Sequence, residues 1–287
     1  MQTLDILKHF ESQTLSAGEI IELRLKQDSI EELGYKTFID LAQIFFLKML
    51  TPQINGDEIV LKFQKLNEEK SFHKDLKSNE KYGVESEFFN IDKNKQFSFL
   101  YHYKKALEFI DVESKNSILN LGVNKGDEFL VIQNMLKKEN FDSKKIIGID
   151  YSSSAIKYAK QEFKNTNIDF INHDINNLNQ LRIGKFDLII SIGTLQSSNI
   201  NFNERFMDIY QNYLKKDGSM ILGFPNCRWI DSEMVYGAKA PNYPFSELSL
   251  VLKDIHFTKK YLQQKKYRVI ITGKDYLFLT ARKIVNL

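Results

Sequence analysis

The sequence predicts an α/β protein, built on a mostly parallel sheet with crossover helices and a closing antiparallel hairpin, and preceded by a smaller, mainly helical domain. Three observations carry this. From about residue 117 onward, short apolar runs alternate with helical patterns, an arrangement that calls for long crossovers and hence parallel strands. Near the end, two strand-like runs are separated only by Gly273, Lys274 and Asp275, a spacing that makes a hairpin. The first third lacks this alternation, and its apolar residues recur at helical spacing.

Taken in order, Ser16 and Glu19 have the spacing of a capping box, with Leu15 and Ile20 placed for the hydrophobic staple, so a helix is expected to begin there. Phe38, Leu41, Ala42, Phe45 and Met49 form one apolar stripe at steps of three and four, stopped by Pro52 and Gly56. Glu58 to Leu66 is apolar without a clean period, which leaves strand and helix open. The polar stretch from Lys74 to Gln96 reads as a linker or surface loop. The expected division is therefore a helical accessory domain at 1–73, a linker at 74–96 and the main domain at 97–287. Within the last, Phe99, Tyr103, Ala106, Leu107 and Ile110 share one helical face. Strands are predicted at 117–121, 145–149, 168–172, 186–191 and 219–224. A helix through Leu248, Val251, Leu252 and Ile255 precedes the hairpin of Tyr267 to Thr272 and Tyr276 to Ala281.

Composition excludes several classes. Apolar residues make up 43% and charged residues 27%, a globular balance and not that of a disordered chain. The single cysteine, Cys227, can form neither an internal disulfide nor a cysteine-rich zinc site, and a reducing cytoplasm is the expected setting. Met1 to Phe10 contains Asp5, Lys8 and His9, so no export signal is expected there. The most apolar stretch, Leu41 to Leu50, is broken by Lys48 and is about half the roughly 20 residues that cross a bilayer. The net charge is +3, yet residues 251–287 hold nine Lys/Arg against two Asp/Glu. Such a patch attracts phosphate groups, although on a lysine-rich chain it is more often a solvated face.

The chemistry concentrates at strand ends. In ILNLGVNKGD an apolar strand runs into Gly122-Val-Asn-Lys-Gly126, where glycines let the backbone turn sharply and approach a ligand. Asp150 ends the next strand, where a carboxylate can accept both hydroxyls of a ribose or else cap the following helix, a task open equally to Ser152, Ser153 or Ser154. Asp174 ends the third strand and can accept from an adenine amino group, with Ile175 beside it to pack on the ring. The run FDLIISIGTLQSS brings Ser191, Gly193 and Gln196 to the same edge.

Together these segments resemble the class I, Rossmann-like S-adenosylmethionine-dependent methyltransferases, over about residues 97–287. The resemblance implies a seven-stranded sheet with S-adenosylmethionine as cofactor and no metal. It implies that Gly122, Asn124 and Gly126 wrap the methionine part, that Asp150 with Tyr151 holds the ribose, and that Asp174 and Ile175 bind adenine. Ser191 and Gly193 would flank the methyl group. Two positions depart from the family: Asn120 stands where an acidic residue is usual, and Asn124 replaces the middle glycine. Asn120 can hydrogen-bond but cannot neutralise an ammonium; Asn124 suits a left-handed turn.

No residue announces itself as a catalytic base, and methyl transfer from a sulfonium needs mainly positioning and shielding from water. The long segment 224–245 carries Arg228 and several aromatics and reads as a lid, or as packing against the N-terminal domain. Asn226, Trp229, Tyr236 and Tyr243 are its expected substrate contacts. A small molecule is the expected acceptor ahead of RNA, and a non-catalytic cofactor-binding protein of the same fold is the reading from another class.

Overall fold

A computed structural model of the chain describes residues 3–70, 81–236 and 248–284. It divides into two compact units, Met1–Lys74 with Arg228–Ala238, and Asp75–Cys227 with Lys239–Leu287.

The first unit is not mainly helical. It holds α1 (Thr3–Glu11), β1 (Ile20–Lys26), α2 (Gln27–Leu33), α3 (Tyr35–Ile44), β2 (Leu47–Met49), β3 (Gln53–Asn55) and β4 (Glu58–Lys65). The helix expected at Ser16 is strand β1 instead. Glu19 Oε2 does accept from the Ser16 amide at 2.8 Å, but the contact closes a turn. Beyond that turn the side chains alternate, with Ile21, Leu23 and Leu25 buried and Glu22, Arg24 and Lys26 exposed, and period two selects a strand. Its partner is β4, antiparallel from Ile20↔Gln64 to Lys26↔Glu58, which settles the segment left open by its pattern. β4 also pairs with β2 and β3. Leu61 and Phe63 are fully buried in the core with Ile6, Phe10 and Phe38; burying each contributes roughly 1.5–3 kcal/mol. Of the expected stripe, Phe38, Leu41 and Ala42 lie on α3, whereas Met49 has passed into β2.

The second unit contains α4 (Glu87–Asn90), α5 (Phe97–Phe109), β5 (Ser117–Leu121), α6 (Asp127–Met135), α7 (Lys138–Asp142), β6 (Lys145–Asp150), α8 (Ser153–Glu162), β7 (Ile168–Asn172), β8 (Phe186–Ile192), α9 (Phe202–Asp208) and β9 (Leu214–Pro225). After the short strands β10 (Cys227–Ile230) and β11 (Glu233–Tyr236) come α10 (Leu248–Gln264), β12 (Tyr267–Gly273) and β13 (Tyr276–Lys283). The sheet order is β12-β13-β9-β8-β5-β6-β7. β5 to β9 pair in parallel and β13 pairs antiparallel with both β9 and β12, as the sequence predicts. Because β5 lies inside the sheet, all five of its residues are buried. The chain winds from β5 to one side, then from β8 to the other, so the carboxyl ends of β5 and β8 flank a switch point, where open α/β sheets leave a ligand crevice.

Two expected loops are corrected. Residues 81–96 are not a free linker: Ser86 caps α4 by accepting from the Phe89 amide, and Phe89, Ile91 and Lys93 are buried. Lys125 Nζ holds this strap by donating to the carbonyls of Phe89 and Ile91, at 2.9 and 3.1 Å. The described part of the expected lid forms the β10–β11 hairpin, whose residues from Arg228 belong to the first unit. Ile230 and Val235 must bury apolar side chains, and they do so with Leu66 and Phe46. Lys48 pairs with Glu233 at 2.6 Å, and the Asn67 amide donates to Asp231 at 3.1 Å. Among the described residues no helix is long and apolar enough to cross a membrane.

Candidate cofactor site

The turn after β5 is stapled to β6, since the amides of Gly122 and Val123 both donate to the Ile149 carbonyl, at 2.8 and 3.1 Å. Gly122, Asn124 and Gly126 all have positive φ, at 79°, 45° and 93°. Asn124 thus takes the left-handed conformation its side chain tolerates best after glycine. A Cβ on Gly122 would stand 1.9 Å from Thr194 Oγ1, so the turn and the loop after β8 approach as closely as a missing side chain permits.

Asp150 spans the base of this turn. Its Oδ2 accepts from the Asn124 amide at 2.8 Å and its Oδ1 from the Ser152 amide at 2.9 Å. The cap of α8 is Ser152, which accepts from Ala155, so Asp150 is released from that task. Burial raises the pKa of Asp150, and the amides of Ser152, Asn124 and Tyr151 oppose the rise. The strap closes over the same place: Asn124 Nδ2 donates to the Tyr82 carbonyl at 2.8 Å, and the Val84 amide to Ser154 Oγ at 3.0 Å. Burial, and then the Asp150 carboxylate, push the Tyr82 phenol up to about 12.

The other expected residues vary in what they have free. Tyr151 is 52% exposed. Asp174 caps the next short helix by accepting from the Asn176 amide at 2.9 Å, while Ile175 is buried in the core. Ser191 is buried and donates to the Leu121 carbonyl at 3.1 Å. Gly193, at φ 75°, has the Tyr276 ring 3.4 Å from where a Cβ would be. Asn226 is engaged with the hairpin, its Nδ2 donating to the Lys274 carbonyl at 3.0 Å. Trp229 is buried and Tyr236 half-exposed on the small hairpin, and Tyr243 lies outside the described residues.

Residues 112–273 match the family described as a methyltransferase domain. The chain belongs to this methyltransferase family. "Putative methyltransferase 235L" of Invertebrate iridescent virus 6 is 28% identical over 190 residues, 63% of this chain and 67% of that protein. The solved structure of the plantazolicin methyltransferase BpumL in complex with SAH has 15% identity and a TM-score of 0.51, covering 72% of this chain and 94% of that one. The chain spans 34% of a coclaurine N-methyltransferase bound to N-methylheliamine and SAH, with 18% identity over 43% of this chain and a TM-score of 0.37.

Within this methyltransferase domain the departure at Asn120 acquires a setting that the sequence did not reveal. Asn120 is 1% exposed; its Nδ2 donates to Glu128 Oε2 at 3.3 Å, and its Oδ1 has no partner. Glu128 Oε1 in turn pairs with Lys93 Nζ at 3.0 Å, both side chains almost wholly buried. Burial, the largest influence, depresses the pKa of Lys93, but Glu128 and its neighbours outweigh it and hold the ammonium charged. Lys93 also lies 5.7 Å from the Phe99 ring and 5.9 Å from the Tyr276 ring. A carboxylate one residue into α6 thus lies against Asn120, with its charge matched by Lys93.

Beside it, burial pushes the Asp127 carboxyl from 3.8 up to about 6, with its side chain 13% exposed. The unfolded chain releases this proton near pH 4 and the folded chain near pH 6, so the folded state binds more protons in between. Stability accordingly declines as pH rises through that window, by about 2–3 kcal/mol. Asp127→Asn should remove the decline, leaving a variant whose advantage over the parent grows between about pH 4 and pH 6 and is level above that in urea titrations. Parallel curves for the two proteins would show that Asp127 titrates normally.

Proposed function

We propose that the second unit binds S-adenosylmethionine at the turn after β5 and transfers its methyl group to a small-molecule acceptor. The supporting observation is the unpaired, buried Oδ1 of Asn120, since a buried acceptor without a donor is costly unless a ligand supplies one. The ammonium of the methionine part is such a donor. Gly122 lets Thr194 of the loop after β8 close against the turn, which brings the two loops that would flank the ligand together. With three backbone amides on its two oxygens, the Asp150 carboxylate keeps an acceptor site for a ribose hydroxyl. The free oxygen of Asp174 would accept from adenine.

The cofactor supplies an electrophilic methyl on a sulfonium; the protein's part is to place the acceptor and keep water out. Burial raises the pKa of Tyr276 beyond the usual phenol range, so beside Gly193 it acts as a neutral hydroxyl and not as a base. The acceptor's class follows from charge. Around this edge stand Asp127, Glu128, Asp150 and Asp174 against Lys93 and Lys125, two more negative charges than positive, which suits a sulfonium and repels a phosphate backbone. A reducing, cytoplasmic setting is part of the proposal, consistent with a single thiol, Cys227, that is wholly buried.

Calorimetric titration with S-adenosylhomocysteine tests the cofactor assignment. The parent should bind, and Asp150→Ala should weaken binding by about 1–3 kcal/mol, because the ribose hydroxyls lose a charged acceptor. No heat with the parent at millimolar ligand would refute the proposal, and equal affinities would reduce Asp150 to a tie for the turn.

A further inference from the structure

We propose a second binding site, for a compact phosphate-bearing ligand, in a cleft at the amino-terminal edge of the main sheet. Independently of the methyltransferase site, the strands place it at the other end. Lys115 precedes β5, and β13 runs antiparallel to β9 with Tyr276↔Pro225 at the carboxyl edge, so Arg282 and Lys283 emerge at the amino edge. Together with Arg268 they line a cleft of about 410 Å³, with Asp111 and Asp217 on its wall. That volume lies in the range of small-ligand sites.

An unbalanced arrangement of charge points to an anion. Arg268 and Arg282 are direct cross-strand partners, a like-charge pair that destabilises a sheet. Both guanidinium groups lie near the one ring of Phe109, at 5.6 and 5.4 Å from its centroid, and Arg282 Nη1 donates to the Phe109 carbonyl at 3.3 Å. Lys283 Nζ donates to the Lys265 carbonyl at 2.8 Å. Among the described residues none of the four cations has a carboxylate within ion-pair distance, in contrast to Lys215, which pairs with Asp187 at 3.0 Å nearby. Burial lowers the pKa of Lys115 more than the nearby carboxylates of Asp111 and Asp187 raise it, with Arg282 adding a smaller push downward. Lys115, Arg268 and Arg282 outnumber the two wall carboxylates, neither of which forms an ion pair with them, while Lys283 turns to the other face of β13 and lies 4.7 Å from the Tyr267 ring. Arginine forks match phosphate oxygens in pairs. The two carboxylates limit its size, because they would repel the continuation of a polyanion past the cleft.

The probes are pyrophosphate and, separately, a single-stranded RNA oligonucleotide, titrated calorimetrically into the full chain at constant ionic strength. Pyrophosphate should bind, whereas sodium chloride at matched ionic strength should leave the melting temperature unmoved. Arg268→Gln and, as a second variant, Lys115→Gln should each weaken pyrophosphate roughly tenfold, the loss of one charge-assisted contact, while keeping the parent's affinity for S-adenosylhomocysteine. Binding of pyrophosphate unchanged in both variants, or absent from the parent, overturns the proposal. So does RNA binding through these residues more tightly than pyrophosphate with a salt slope above about two released ions, which would make the cleft part of a nucleic-acid track.

Discussion

Lys93→Ala should cost about 3–5 kcal/mol of stability, because it leaves the Glu128 carboxylate, 2% exposed, without the ammonium 3.0 Å away. That loss alone would show only that a buried pair has been broken. Lys93→Met combined with Glu128→Leu is the informative variant, since replacing both charges by apolar side chains of similar volume is often neutral for a fold. The double variant should recover most of the lost stability in denaturant titrations, short of the full amount because Asn120 Nδ2 then lacks the partner it has at 3.3 Å. Its affinity for S-adenosylhomocysteine should still fall about tenfold or more, as the methionine ammonium would face an amide with no carboxylate behind it. If the double variant binds like the parent, the pair only clamps the strap to α6 and takes no part in the site.

That pair also shows where sequence reading reaches its limit. The strands at 117–121 and 168–172 coincide with β5 and β7, the first because a strand inside a parallel sheet is apolar on both faces and the second because its apolar residues alternate along an edge strand, with Ile168 and Phe170 buried and Asp169 exposed. The left-handed Asn124 was legible for a local reason, the tolerance of its short amide side chain for positive φ. Lys93 and Glu128 lie thirty-five residues apart, and Lys93 sits in a stretch whose polarity suggests solvent. A usable signal existed only at Glu128, an acidic residue just after a turn that lacked its expected one. In the first unit the two-residue capping pattern of Ser16 and Glu19 competed with a seven-residue alternation, and the longer pattern won, since it fixes which side chains are buried along all of β1. The segment 224–245 invited a lid by its length and aromatics; Ile230 and Val235, neither aromatic nor part of any period, decide its described half instead.

Gly122→Ala tests the turn itself. At φ 79° any Cβ suffers from the left-handed backbone, at a cost of about 1–2 kcal/mol. The new methyl would also stand 1.9 Å from Thr194 Oγ1 and 2.7 Å from Thr194 Cβ. Rotating the threonine about χ1 moves the first atom but not the second, so backbone must yield, adding about 1–3 kcal/mol for overpacking. The expected total is about 2–5 kcal/mol of stability. The two causes separate in a double-mutant cycle with Thr194→Gly, which clears the space without changing φ at position 122. In that background Gly122→Ala should cost only the backbone part. Cofactor affinity should fall in Gly122→Ala, because the turn and the Thr194 loop that would flank the ligand must move apart. Should Gly122→Ala cost the same with and without Thr194, the close approach of the two loops is wrong as described and the left-handed turn alone explains the glycine. Should it cost nothing in either, the turn does not require glycine and the ligand path along it has to be sought elsewhere on the sheet edge.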